Sequence, residues 1–204
     1  MTIDAHAPTR GTARAGLAQR LTDLLAPTHL LVAVQLLVGV VAGETSTSGL
    51  AWGALAALFT AVLPYAFVLR GVRRGRYGDR HVKDRKQRLV PLAFAGASVA
   101  TGVAVLALAG APGQLLALNL ATLLGLVLIL ATTLVWKISV HSGVAAGVAS
   151  VASMVLPPVA VVGVLLVAAV GWSRVELRDH TRAQALGGAV LGAAVAATLF
   201  ATFR

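Results

Sequence analysis

Three short polar stretches interrupt an otherwise apolar sequence, and each carries residues able to do chemistry. "WSRVELRDHTRAQ", residues 172–184, sets Arg174, Glu176, Arg178, Asp179, His180 and Arg182 between two long apolar runs. "WKISVHSG", residues 136–143, places Lys137, Ser139, His141 and Ser142 where an apolar run begins. "RRGRYGDRHVKDRKQRLVP", residues 73–91, adds His81, Lys83, Arg85 and Arg88. Together they supply cations and histidines with few carboxylates. That set is wrong for a divalent cation, which wants several oxygen ligands. It suits an anion with several negative oxygens, such as phosphate, which guanidinium forks hold bidentately. A histidine near neutral pH can attack as a nucleophile or donate a proton as a general acid. A loop that merely anchors a membrane protein explains the arginines, and an interfacial Trp-Lys pair explains Lys137. Neither explains histidines at the starts of helices, where ionisable groups at a bundle edge are candidates for function.

The elements that must position these residues follow from composition. Of 204 residues, 58% are hydrophobic and 12% charged, against about 25% charged in a soluble domain. Mean hydropathy is +0.86. The sequence predicts an all-α, polytopic integral membrane helical bundle of about six to seven transmembrane helices. The apolar segments fall at about 28–43, 49–69, 90–110, 114–136, 139–156, 158–172 and 184–203. Turn-forming breaks separate them: "GETSTSG", "GAPGQ" and "LPP". The fifth and sixth segments read as two short helices, because Pro157-Pro158 cannot continue a helix. Small residues in "GVAAGVASVAS" predict close helix approach. Residues 1–26 read as a polar N-terminal segment, its first part disordered and "GLAQRLTDLLA" able to form a short amphipathic helix lying on the membrane surface, and residues 27–204 as the transmembrane bundle. No cysteine is present, so disulfides, thiolate chemistry and cysteine metal ligation are excluded.

With seven spans, the N-terminal tail and the loops near 70–89, 137–141 and 173–183 share one face. Sixteen of the 17 Lys and Arg lie there, Arg204 alone being opposite. The positive-inside rule puts that face in the cytoplasm of a bacterial-type plasma membrane. The net charge of +10 then reflects topology and attraction to anionic headgroups rather than nucleic-acid binding.

"SRVELRDH", Ser173 to His180, resembles the SRxxxxxH signature of the type 2 phosphatidic acid phosphatase superfamily of lipid phosphate phosphatases. "ISVH", Ile138 to His141, resembles its PSGH motif at Ser139 and His141. The stretch ending "QRLVP" resembles its KxxxxxxRP motif at Arg88, with His81 in the Lys position and Leu89 in place of Pro. The order is kept, and the likeness covers roughly residues 70–200. It implies that His180 attacks phosphorus to form a phosphohistidine and that His141 protonates the leaving oxygen. Arg88, Arg174 and the Ser139 hydroxyl would hold the phosphoryl oxygens, with Lys83 or Arg85 replacing the missing Lys and His81 a possible phosphate contact. No metal or other cofactor is implied. The family carries an Asp four residues after the nucleophile; here Gln184 stands there. On a helix that position meets His180, so its carbonyl is expected to accept the Nδ1–H and fix the tautomer without stabilising an imidazolium.

The expected function is a metal-independent membrane phosphatase for a lipid phosphate or prenyl (di)phosphate, with the site on the cytoplasmic side. The alternative is a catalytically weak relative that binds or transports anionic lipid, as Gln184 suggests. A prenyltransferase or phosphatidyl-alcohol transferase needs clustered aspartates for Mg²⁺, which the seven acidic residues do not form. His6 lies in the polar tail, and His29 reads as an interfacial polar residue.

Overall fold

The computed structural model describes residues 10–78, 80, 82 and 86–203, leaving aside the side chains of residues 10–12 and of Lys86. His81, Lys83 and Arg85 lie outside the described residues. Among those described, every regular element is helical. The order is α1 (Arg10–Leu24), α2 (Pro27–Ala42), α3 (Ser46–Ala57), a π-helical turn (Leu58–Val62), α4 (Leu63–Arg73), α5 (Leu89–Leu108), α6 (Gly113–Val135), α7 (Val140–Val155), α8 (Ala160–Glu176) and α9 (Arg182–Phe203).

Among the described residues, five helical stretches are long and apolar enough to cross a membrane, or six if α1 and α2, bent by 42° at their junction, count as one. The apolar α7, at 16 residues, falls short of that length. Val127, Leu134, Val161, Val162, Val164, Leu165, Leu186 and Val190 are exposed around the bundle. A water-facing surface rarely carries so much apolar area, whereas hydrocarbon accepts it. These features fit an integral membrane protein. As expected, α7 and α8 are two helices parted at Leu156 and a short 3-10 turn, Pro157–Val159.

The stretch from α3 to α4 runs unbroken over Ser46–Arg73 through the π turn, and Pro64 accounts for that turn. A proline inside a helix has no N–H and crowds the carbonyl four residues back. The extra residue of a π turn relieves that crowding. Leu63 N–H then bonds the Leu58 carbonyl, which leaves the Phe59 carbonyl without a backbone donor. The Ser98 hydroxyl of α5 supplies one at 2.7 Å. Thr60, in the same turn, is buried between helices and donates to the Ala56 carbonyl at 2.9 Å.

Helices α7 and α9 make the tightest approach. A Cβ at Gly192 would run into the Gly143 carbonyl, and one at Gly188 into that of Ser139. Small residues at such contacts let backbones touch, as "GVAAGVASVAS" predicted for α7. The apolar core of Val34, Val38, Leu106, Leu115, Val151 and Phe200 lies toward the end of the bundle away from the basic loops. At the basic end, the helices part around a cavity.

Candidate functional site

The site begins with a turn. Helix α8 stops because Arg178 adopts a left-handed backbone, φ 56°. The Arg178 N–H bonds the Val175 carbonyl at 2.9 Å, and the Asp179 N–H bonds the Arg174 carbonyl at 3.2 Å. This is the Schellman pattern, usually built on glycine. The reversal lays Asp179 back on Arg174, giving an ion pair of 2.6 Å between side chains only 8% and 1% exposed. It also delivers His180, 5% exposed, to the same spot. The left-handed conformation costs an L-residue about 1–2 kcal/mol. Arg178→Gly is therefore expected to raise stability by roughly 0.5–1 kcal/mol, read as a higher thermal midpoint in detergent with the site unchanged.

Thr181 starts α9. Its hydroxyl accepts from the Gln184 N–H at 3.2 Å, while Gln184 Oε1 accepts from the Thr181 N–H at 3.0 Å. The two form a capping box. This corrects one expectation: the Gln184 carbonyl serves the helix start rather than the His180 ring. His180 Nδ1 is buried and has no hydrogen-bond partner among the described residues. The backbone carbonyl of Gln184 accepts from the Ser139 N–H at 3.2 Å, which ties the 172–184 stretch to the 136–143 stretch.

Ser139 is the N-cap of α7. Its oxygen accepts from the Ser142 N–H at 3.3 Å and lies 3.0 Å from the Ser142 hydroxyl. The group expected to bind phosphate thus also caps the helix that carries His141. Arg88 closes the circle from the 73–91 stretch. Buried at the start of α5, it donates from Nε to the Val82 carbonyl at 2.7 Å and from Nη1 to the Ile138 carbonyl at 3.4 Å. All three polar stretches therefore meet at one end of the bundle.

Their charges converge on His180, whose pKa is pushed from 6.5 down to about 3. Burial is the largest cause, and the positive charges of Arg88, Lys137 and Arg174 add to it, against a smaller opposing pull from Asp179. Near neutral pH the ring is therefore uncharged and has cations around it.

Arg88 and His141 also line the cavity, about 300 Å³, which runs between α2, α4, α5, α6, α7 and α9. His180 and Arg174 are not among its lining residues, so Arg88 is the group common to both. At the mouth, Asp23 of α1 pairs with Arg80 at 2.6 Å. Arg80's pKa is raised, first by its hydrogen bond to Asp23 and then by that residue's charge. His29 lines the mouth too, with Nδ1 3.0 Å from the Leu24 carbonyl.

No family model, curated protein or solved structure matches this chain.

The short helix expected within "GLAQRLTDLLA" is present, but its full length and its packing against α8 were not anticipated. The stretch read as an interfacial segment is helical over Arg10–Leu24 and packs on α8. Thr22, 1% exposed, accepts from Arg174 Nη1 at 3.2 Å and donates to the Ser173 hydroxyl at 3.2 Å. Arg14 pairs with Glu176 at 3.2 Å. Lys137, read as an interfacial anchor, contributes charge at His180. The described residues contain no group of acidic residues and histidines able to hold a metal ion. An arrangement of buried guanidinium groups around a neutral imidazole can bind a phosphate-like dianion without one.

Proposed function

We propose that this chain is a metal-independent membrane phosphatase acting on a lipid phosphate or prenyl (di)phosphate, related to the type 2 phosphatidic acid phosphatases. The observation that carries the proposal is His180, buried, neutral and open at Nδ1 among the charges of Arg88, Lys137 and Arg174. A neutral imidazole has a lone pair for attack on phosphorus, and cations at that point stabilise the charge spreading over the equatorial oxygens. In the proposed reaction, a His180 nitrogen bonds to phosphorus as the bond to the leaving oxygen breaks, and His141 gives that oxygen a proton. Water then attacks the phosphohistidine and gives a proton back to His141 as the P–N bond breaks, releasing inorganic phosphate and restoring both rings.

Purified protein should release inorganic phosphate from a prenyl phosphate with EDTA present. Release that needs added Mg²⁺ would contradict the metal-independent route. A second reading, a weak or inactive relative that binds anionic lipid, is favoured by one observation: the Gln184 carbonyl is engaged in the capping box, so nothing orients His180 from that position. Binding of a lipid phosphate without any release would select it.

The basic end of the bundle would face the cytoplasm. Cysteines introduced at exposed Arg74 and Thr47 report on this. With an impermeant thiol reagent on intact cells, Thr47→Cys should label and Arg74→Cys should not. The reverse pattern would place the site on the outer face.

A further inference from the structure

We infer that the cavity beside His141 holds one lipid chain of limited length, so that the substrate is a single-chain lipid phosphate rather than a two-chain phosphatidate. This rests on the phosphatase or phosphate-binding reading above and narrows it. The first argument is shape. Along α6 the lining runs from Ile129 to Leu118, which at 1.5 Å per residue is about 16 Å. The volume of about 300 Å³ sits at the low end of the roughly 300–1,000 Å³ that accommodates one drug-sized molecule. One chain fits such a space, and two long ones do not.

The second argument is polarity. Arg88 and His141 line the cavity together with the paired Asp23 and Arg80, whereas Val34, Leu118 and Ala196 line it deeper in the bundle. An amphiphile with one anionic head and one apolar tail matches that gradient. The head would meet Arg88, the cation shared with His180, while the tail lies between helices.

The third argument is the floor. Thr60 lines the cavity, and behind it Gln35 and Asn119, both fully buried, are joined across α2 and α6. Asn119 Nδ2 donates to Gln35 Oε1 at 3.2 Å, and Gln35 Nε2 approaches Asn119 Oδ1 at 3.5 Å and Thr60 Oγ1 at 3.4 Å. A methyl end pushing past this set would break amide hydrogen bonds in a place without water, and hydrocarbon offers no replacement. The polar trio therefore acts as a stop that limits chain length.

Gly125 makes the inference testable. It lines the cavity on α6, and a Cβ built on it meets nothing within 4 Å. Gly125→Leu should fill the passage without disturbing the backbone, and Gly125→Ala should do so more mildly. The binding probe is a series of non-hydrolysable n-alkyl phosphonates of rising chain length, with a two-chain phosphatidate analogue for comparison. For wild type, affinity should rise roughly three- to fourfold per added methylene and then level off. The two-chain analogue should bind at least about tenfold more weakly than the best single-chain phosphonate. In Gly125→Leu the levelling should come at a shorter chain, and in Gly125→Ala between the two. Phosphate release from a short and a long prenyl phosphate runs in parallel, and Gly125→Leu should lose the long substrate at least about tenfold while keeping the short one. If the phosphonate series behaves as described but no phosphate is released, the cavity inference stands and the enzymatic reading falls. Affinity that climbs without levelling, equal binding of the two-chain analogue, no phosphonate binding, or a plateau unmoved in both variants would overturn the inference.

Discussion

His180→Ala is expected to reduce phosphate release by at least about a thousandfold while the protein still folds. Loss of a nucleophile removes the covalent route altogether, and residues that act as a unit leave little behind when one is lost. The fold should survive because the ring lies in the short α8–α9 connection and, among the described residues, Nδ1 makes no hydrogen bond. The same substitution has a signature in stability against pH. In the folded protein the ring holds a pKa of about 3, against 6.5 when solvated. Between those values the unfolded chain takes up a proton that the folded chain refuses. Stability from this group is therefore complete above pH 6.5 and falls below it, by up to about 1.4 kcal/mol per unit, until pH 3. Thermal unfolding of wild type and His180→Ala across pH 4–7 isolates that slope, and the variant should show the shallower one. In the free enzyme, the acid limb of kcat/KM assigned to the nucleophile should lie well below pH 6, since protonation is what would disable it. Undiminished phosphate release from His180→Ala would remove this residue from the chemistry.

Much of the frame was legible because apolar runs and their breaks are local signals. "GETSTSG", "GAPGQ" and "LPP" fall where the structure turns, and the charged stretches fall at one end of the bundle. Four features were less visible. The α1 helix is polar in composition, so nothing in its sequence indicates that Thr22 faces inward to Arg174. The turn ending α8 carries Arg178, not glycine, at its left-handed position, and this hid the fold-back that pairs Asp179 with Arg174. The π turn at Leu58–Val62 answers to Pro64, which a span reading passes over as one tolerated proline. The Gln184 contact was readable after all. Thr181-Arg-Ala-Gln184 spells a capping box, whose three-residue spacing joins Gln184 to the helix start. Judging the same residue by its four-residue distance from His180 gave helical neighbours, but His180 precedes the helix and the rule does not reach it.

The second large effect is expected at the Arg174–Asp179 pair. Asp179→Ala should cost about 3–5 kcal/mol, a large share of the roughly 5–15 kcal/mol that holds a domain together. Its cause is burial: Arg174 is 1% exposed and would lose its 2.6 Å carboxylate partner while keeping its charge. The thermal midpoint in detergent should drop sharply, and phosphate release should fall with the folded fraction. A double variant, Arg174→Leu with Asp179→Leu, separates stability from chemistry. Replacing a whole buried pair by apolar residues is often neutral or stabilising, because the desolvation cost of both charges disappears. The double variant should therefore regain much of the stability lost in Asp179→Ala. It should not regain phosphate release, because the guanidinium beside His180 is gone. Recovery of the fold without recovery of turnover would show that the buried pair is present for binding phosphate rather than for holding α8 to α9. If instead the double variant released phosphate at the wild-type rate, Arg174 would be a structural residue, and the cationic ring around His180 would reduce to Arg88 and Lys137.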